Sequence, residues 1–95
     1  NVDIVSVPGS FEIPLKANIA CKTSDCVVCI GIIIKGETFH FETMCHTITN
    51  SLMDIQLKNE IPVINHVLQC FNIEQVKERI VSDSIIDTIR FSLKE

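Results

Sequence analysis

The apolar positions of this chain fall into two kinds of run. Residues 2–7, 26–35 and 62–68 are short and rich in Val and Ile, which reads as strand. Residues 26–34 (Cys-Val-Val-Cys-Ile-Gly-Ile-Ile-Ile) are apolar without alternation, which suits a parallel strand covered on both faces. The second kind is periodic. Phe41, Met44, Ile48, Leu52 and Ile55 recur at spacings of three and four, predicting a helix over 39–58. Thr38 is its candidate cap, and Glu42 suits its first turn. Pro8-Gly9-Ser10 ends the first strand, and Ser10 can cap a helix running to about residue 21. Glu12 lies early in that helix, and Pro14 is tolerated in a first turn. Residues 69–72 read as a loop. Helix resumes near Ile73 and runs to the C-terminus, with room for a break around 81–83 and an apolar stripe of Ile85, Ile86, Ile89 and Leu93.

Strand and helix alternate throughout. The pattern predicts one α/β domain over residues 1–95: a three-layer sandwich in which helices flank a parallel sheet. Ligands of such sheets gather outside the carboxyl ends of the strands. Residues 8–12, 36–40 and 69–72 all belong there.

Composition narrows the classes of function. The chain has 95 residues, 46% hydrophobic and 21% charged, an ordinary globular balance and enough for one small domain. Its net charge of −4, with no run of Lys and Arg, argues against a nucleic-acid partner. The longest apolar run is too short to span a bilayer, so no membrane partner is expected. Five cysteines, an odd number without a secretory signal, favour a reducing compartment: the cytoplasm, or a plastid stroma after removal of a transit peptide. The chain opens at Asn1 directly into a strand-like run, so residues upstream are expected to be absent.

The strongest constellation is Gly36-Glu37-Thr38-Phe39-His40. Glycine lets a ligand approach the backbone, and the helix behind it aims N–H groups and a positive dipole end at an anion. His40, one turn inside that helix, titrates near neutrality and can move a proton. Taken alone, the spacing more often describes a plain capped helix with a surface histidine. Pro8-Gly9-Ser10-Phe11-Glu12 offers a second helix start, where Glu12 can accept hydrogen bonds from ligand hydroxyls. By itself it is more often a cap with Phe11 in the core. Arg79 can hold a phosphate through two hydrogen bonds, though most such charges lie on a solvated helix face. Cys26 and Cys29 invite a redox or metal reading. Three residues apart on a strand they point to opposite faces, and no zinc-spaced partners follow, so buried thiols and no metal are expected.

Four stretches, in order and at matching spacing, resemble the lumazine synthase family. They are Val7-Pro8-Gly9-Ser10-Phe11-Glu12-Ile13-Pro14; residues 31–42, around Lys35-Gly36-Glu37-Thr38-Phe39-His40; Ile61-Pro62-Val63-Ile64; and Asn72-Ile73-Glu74-Gln75-Val76-Lys77-Glu78-Arg79. The resemblance implies a flavodoxin-like sandwich and the joining of 5-amino-6-ribitylaminouracil to 3,4-dihydroxy-2-butanone 4-phosphate, with no metal or organic cofactor. It gives Ser10, Phe11 and Glu12 to the ribityl chain, and Ile33 and Ile34 to the pyrimidine. It gives Gly36, Glu37, Thr38 and Arg79 to the phosphate-bearing substrate, and proton transfer to His40. It also implies sites shared between subunits of a pentamer or a shell of pentamers, with Asn65 standing where a residue reaches into the neighbour's site.

Departures from the family pattern are specific. Asn65 replaces an apolar, often aromatic residue, and His66 replaces a glycine. No Gly or Lys lies between Arg79 and Ser84, where the family carries a glycine-rich loop with a basic residue. The family's first strand, first helix and an N-terminal aromatic are missing. That strand would lie between residues 2–7 and 26–35, so its loss is expected to leave strand edges open and the chain poorly soluble. Two readings therefore stand: an active synthase, or a diverged homologue that assembles or binds a flavin-like ligand without turnover.

Overall fold

A computed structural model of the chain describes residues 2–36 and 40–82. A short 3-10 turn (Ser10–Glu12) leads into helix α1 (Ile13–Ala20), strand β1 (Val27–Ile34), helix α2 (Phe41–Asn59), strand β2 (Val63–Cys70) and helix α3 (Ile73–Ser82). The predicted apolar stripe at residues 85–93 lies outside the described residues.

The strands pair in parallel, from Val27 beside Val63 to Ile34 beside Cys70. Strand alternation sorts their side chains into two layers. On one face Cys29, Ile33, Val63 and Val67 join Ile13, Ala17, Phe41, Cys45, Ile48 and Leu52 in the core under α1 and α2. On the other, Ile64 and Cys70 are buried on the side where α3 packs against β2 and brings in Val76. The result is the predicted sandwich, with a two-stranded sheet. The α3 layer covers β2 but leaves Ile30 and Ile32 of β1 exposed.

Helix α2 returns the chain along the sheet. Its 19 residues cover about 28 Å, close to the roughly 26 Å of an eight-residue strand, so it runs the length of the layer. It stops at Glu60, whose φ of 56° is left-handed, and Pro62 cannot continue a helix. Gln56 then accepts the Val63 N–H at 2.8 Å, fixing where β2 begins. Asn59 donates to Asn18 at 3.0 Å and ties α2 to α1.

Three expectations change. Residues 2–7 form no strand; they run irregularly, with Val2 and Ile4 almost fully exposed. Their composition suits a sheet, but a strand needs a partner for its N–H and C=O groups. Among the described residues β1 is paired only with β2, and no strand pairs with 2–7. Ser10 is not a cap: no side chain caps the 3-10 turn or α1, and the regular helix begins beside Pro14, which fits a first turn. Finally, β2 extends to Cys70, because Gln69 and Cys70 complete the ladder opposite Ile33 and Ile34.

Candidate functional site

Several candidate residues lie on or beside β1 and the connection that leaves it. The 3-10 turn at Ser10–Glu12 packs against β1 and α2. Gly31 makes that approach possible: a Cβ there would lie 3.1 Å from Ile13 Cδ1 and 3.2 Å from Ser10 Oγ. Glu12 folds back toward Gly9, donating its backbone N–H to the Gly9 carbonyl at 3.2 Å. Phe11 is 63% exposed, so the alternative that placed it in the core fails. Ser10 is half-buried and Glu12 exposed.

Gly36 leaves β1 with φ of +95° and open space around its Cα, so backbone conformation alone selects glycine. Glu37 and Thr38 lie outside the described residues. His40 is exposed and occupies the N-cap of α2, with its carbonyl accepting the Met44 N–H at 2.8 Å. The expected position one turn inside the helix is corrected by two residues: α2 begins at Phe41, whose ring is buried. His40 therefore stands at the mouth of the helix, where the first-turn N–H groups have no partner within the helix ladder.

Across the sheet, Asn72 caps α3. Its Oδ1 accepts the Gln75 N–H at 2.9 Å, while Gln75 Oε1 accepts the Phe71 N–H at 2.8 Å, a reciprocal arrangement that fixes the turn after β2. Arg79 Nη1 donates to the Gln69 carbonyl at 3.2 Å, which holds the guanidinium at the carboxyl end of β2. Gln69 in turn donates to Thr49 on α2 at 3.1 Å.

Residues 1–87 match the sequence model of the 6,7-dimethyl-8-ribityllumazine synthase family. The chain belongs to that family. It is 41% identical over 76 residues to the 6,7-dimethyl-8-ribityllumazine synthase of Thermobifida fusca, covering 80% of this chain and 45% of that one. With the enzyme of Limosilactobacillus reuteri it shares 41% identity over 81 residues, 83% of this chain and 53% of the relative. With that of Schizosaccharomyces pombe it shares 44% over 81 residues, 83% and 51% of the two chains. The chain thus spans about half the length of the curated relatives it matches.

Not every residue the lumazine synthase pattern singles out reaches the rim. Ile33 is 4% exposed and belongs to the core, leaving Ile34, half-buried, as the nearer apolar contact. Asn65 lies four residues before Gln69 along β2, about 13 Å from the rim. It is exposed, and its Oδ1 accepts the Val67 N–H at 3.0 Å. Within one chain the rim is open: Phe11, Glu12, Gly36, His40 and Arg79 are all exposed. A shallow groove between α1 and α2, lined by Pro14, Leu15, Asp54 and Lys58, lies among the helices and not at this rim.

A cluster that the sequence motifs did not reveal completes the picture. Lys35 Nζ lies 3.4 Å from Glu42 Oε1 and 5.5 Å from the centre of the Phe71 ring. The Phe71 and Phe41 rings are 5.9 Å apart. The Glu42 carboxyl is held below its ordinary range, first by its own backbone N–H at the helix start and then by Lys35. The opposite charges on either side of the 36–40 motif were the available signal; the Phe71 contact is non-local and had none. Burial pushes Cys29 up to about 11 and raises Cys21 and Cys26, so these side chains stay thiols near neutrality.

Proposed function

We propose that this chain provides the catalytic half-site of a 6,7-dimethyl-8-ribityllumazine synthase, condensing 5-amino-6-ribitylaminouracil with 3,4-dihydroxy-2-butanone 4-phosphate in riboflavin biosynthesis. The observation that supports the reading is that the Ser10–Glu12 turn packs on β1 and α2, the two elements joined by the connection that begins at Gly36 and ends at His40, with these residues open to solvent or nearly so. Ser10, Phe11 and Glu12 hold the ribityl hydroxyls and Ile34 flanks the ring, with Ile33 behind it. Gly36, Glu37 and Thr38 contact the phosphate-bearing substrate, assisted by Arg79. The uracil amine attacks the ketone to form an imine with loss of water. Phosphate then leaves, and ring closure releases a second water. His40 passes protons between these steps, a task suited to an exposed imidazole at a helix mouth.

An open rim also supports assembly. A second subunit laid against it would exclude water, and the exposed Asn65 is free of the rim of its own chain and suited to the neighbour's site. The proposed assembly is a pentamer or a shell of pentamers in a reducing compartment, cytoplasmic or plastid. The second reading, assembly or flavin-like binding without turnover, draws on Asn65, His66 and the absence of Gly or Lys between Arg79 and Ser84. Supplying both substrates and following lumazine fluorescence separates the two. The synthase reading expects product, strongly reduced in His40→Ala and Arg79→Ala. Flavin-like binding with no product supports the other reading.

A further inference from the structure

We infer that Lys35 is a positioning residue for the anion-binding edge, acting as the pin of a clasp built from Lys35, Glu42, Phe71 and Phe41. The inference rests on the reading of that edge given above. Three contacts meet at Lys35, and a fourth links its ring partner to α2. Its backbone N–H donates to the Cys70 carbonyl at 2.9 Å, locking the end of β1 to the end of β2. Its ammonium donates toward Glu42 on the first turn of α2 and sits over the face of Phe71, just before α3. Phe71 packs on Phe41, the buried first residue of α2. Gly36 and His40, at the two ends of the 36–40 connection, are each next to a member of this cluster. The clasp thus sets the separation between the end of β1 and the mouth of α2. Small errors in such a separation weaken anion binding, because backbone donors act only over a narrow range of distance and angle.

Lys35 is a positive charge near a proposed phosphate site, so direct binding of the anion is the competing role. The two roles differ in sign at Glu42. If Lys35 bound phosphate itself, Glu42→Gln would free the ammonium and tighten binding. If Lys35 pins the clasp, Glu42→Gln releases the pin and weakens it.

The test is calorimetric titration of the assembled protein with inorganic phosphate, alongside KM for each substrate and amide exchange in the first turn of α2. Lys35 is half-exposed, so Lys35→Met leaves the core intact. Lys35→Met, Glu42→Gln and Phe71→Leu are expected to weaken phosphate binding about two- to fivefold, the scale of one lost cation–ring contact. KM for the sugar phosphate should rise in proportion while KM for the ribityl substrate holds. Lys35→Arg, which can stack and pair, should restore both. Tighter binding by Glu42→Gln, or unchanged binding by Lys35→Met, overturns the clasp. If the parent protein neither binds phosphate nor turns over, the proposed function fails and amide exchange alone judges the clasp. Faster exchange at residues 41–45 in Lys35→Met then supports it, and identical exchange overturns it.

Discussion

Replacing Gly31 with Ala tests whether the Ser10–Glu12 turn is seated on β1 as described. The new methyl would meet Ile13 Cδ1 at 3.1 Å and Ser10 Oγ at 3.2 Å, with Val67 Cγ1 at an ordinary 3.6 Å. Favourable carbon contacts lie at about 3.5–4.0 Å, so the first two neighbours must each retreat by a few tenths of an ångström. Ile13 is 7% exposed and wedged in the core, so its retreat disturbs packing. Overpacking of this kind costs about 1–3 kcal/mol. Against it stands a gain of about 0.4–1 kcal/mol, because alanine restricts the unfolded chain more than glycine does. The net expectation is destabilisation of about 1 kcal/mol. It is measured by urea unfolding of the assembled protein at fixed concentration. In a Ser10→Ala background one of the two close contacts is gone, so the same substitution should cost about half as much.

The functional consequence is directional. Because Ser10 must move, Gly31→Ala should raise KM for the ribityl substrate and leave phosphate affinity unchanged. A variant as stable as the parent, with unchanged KM, would refute the seating of the turn on Gly31.

Further predictions follow from single residues. Gly36→Ala meets no steric obstacle but forces alanine to φ near +95°, so it should cost about 1–2 kcal/mol and weaken phosphate binding; equal stability in thermal unfolding would contradict this. The Cys29 thiol is raised from 9.0 to about 11 in the folded chain, so its contribution is fully present below pH 9 and lost as pH rises toward 11. Stability should fall over that window by on the order of 2 kcal/mol, and Cys29→Ala should flatten the fall; parallel curves for the two proteins would sink the assignment. Ile30 and Ile32 are exposed on β1, so Ile30→Lys should reduce self-association of the purified chain in sedimentation. Unchanged association would show that this face is not what brings chains together.

The parts of the fold that were legible carried their own partners or their own period. The unbroken apolar run at 26–34 announced a strand, and β1 fills most of it, but the expected cover lies on one face only, with Ile30 and Ile32 exposed on the other. The three-and-four spacing from Phe41 marked the buried side of α2, where Phe41, Ile48 and Leu52 are core and Met44 and Ile55 half-buried. Residues 2–7 looked as strand-like as 62–68, yet strand formation depends on a neighbouring edge that local pattern does not encode. The cap assigned to Ser10 failed because Pro14 sets where the regular helix starts, leaving Ser10 to face Gly31. The motifs pointed to Ser10 and Glu12 on a turn that packs on β1, and to Gly36 and His40 at the two ends of the connection from β1 to α2. They did not show Lys35 over Phe71, because 36 positions separate the two in sequence and only the register of β1 on β2 brings them together.

Hydrogen-exchange mass spectrometry with and without the two substrates puts the shared rim to the most direct test. Residues 9–13 and the segment from Gly36 through the first turn of α2 should both slow in the same titration, with one substrate pair per chain. Protection confined to one of those segments, or appearing in the α1–α2 groove around Leu15, Asp54 and Lys58, would contradict the shared site.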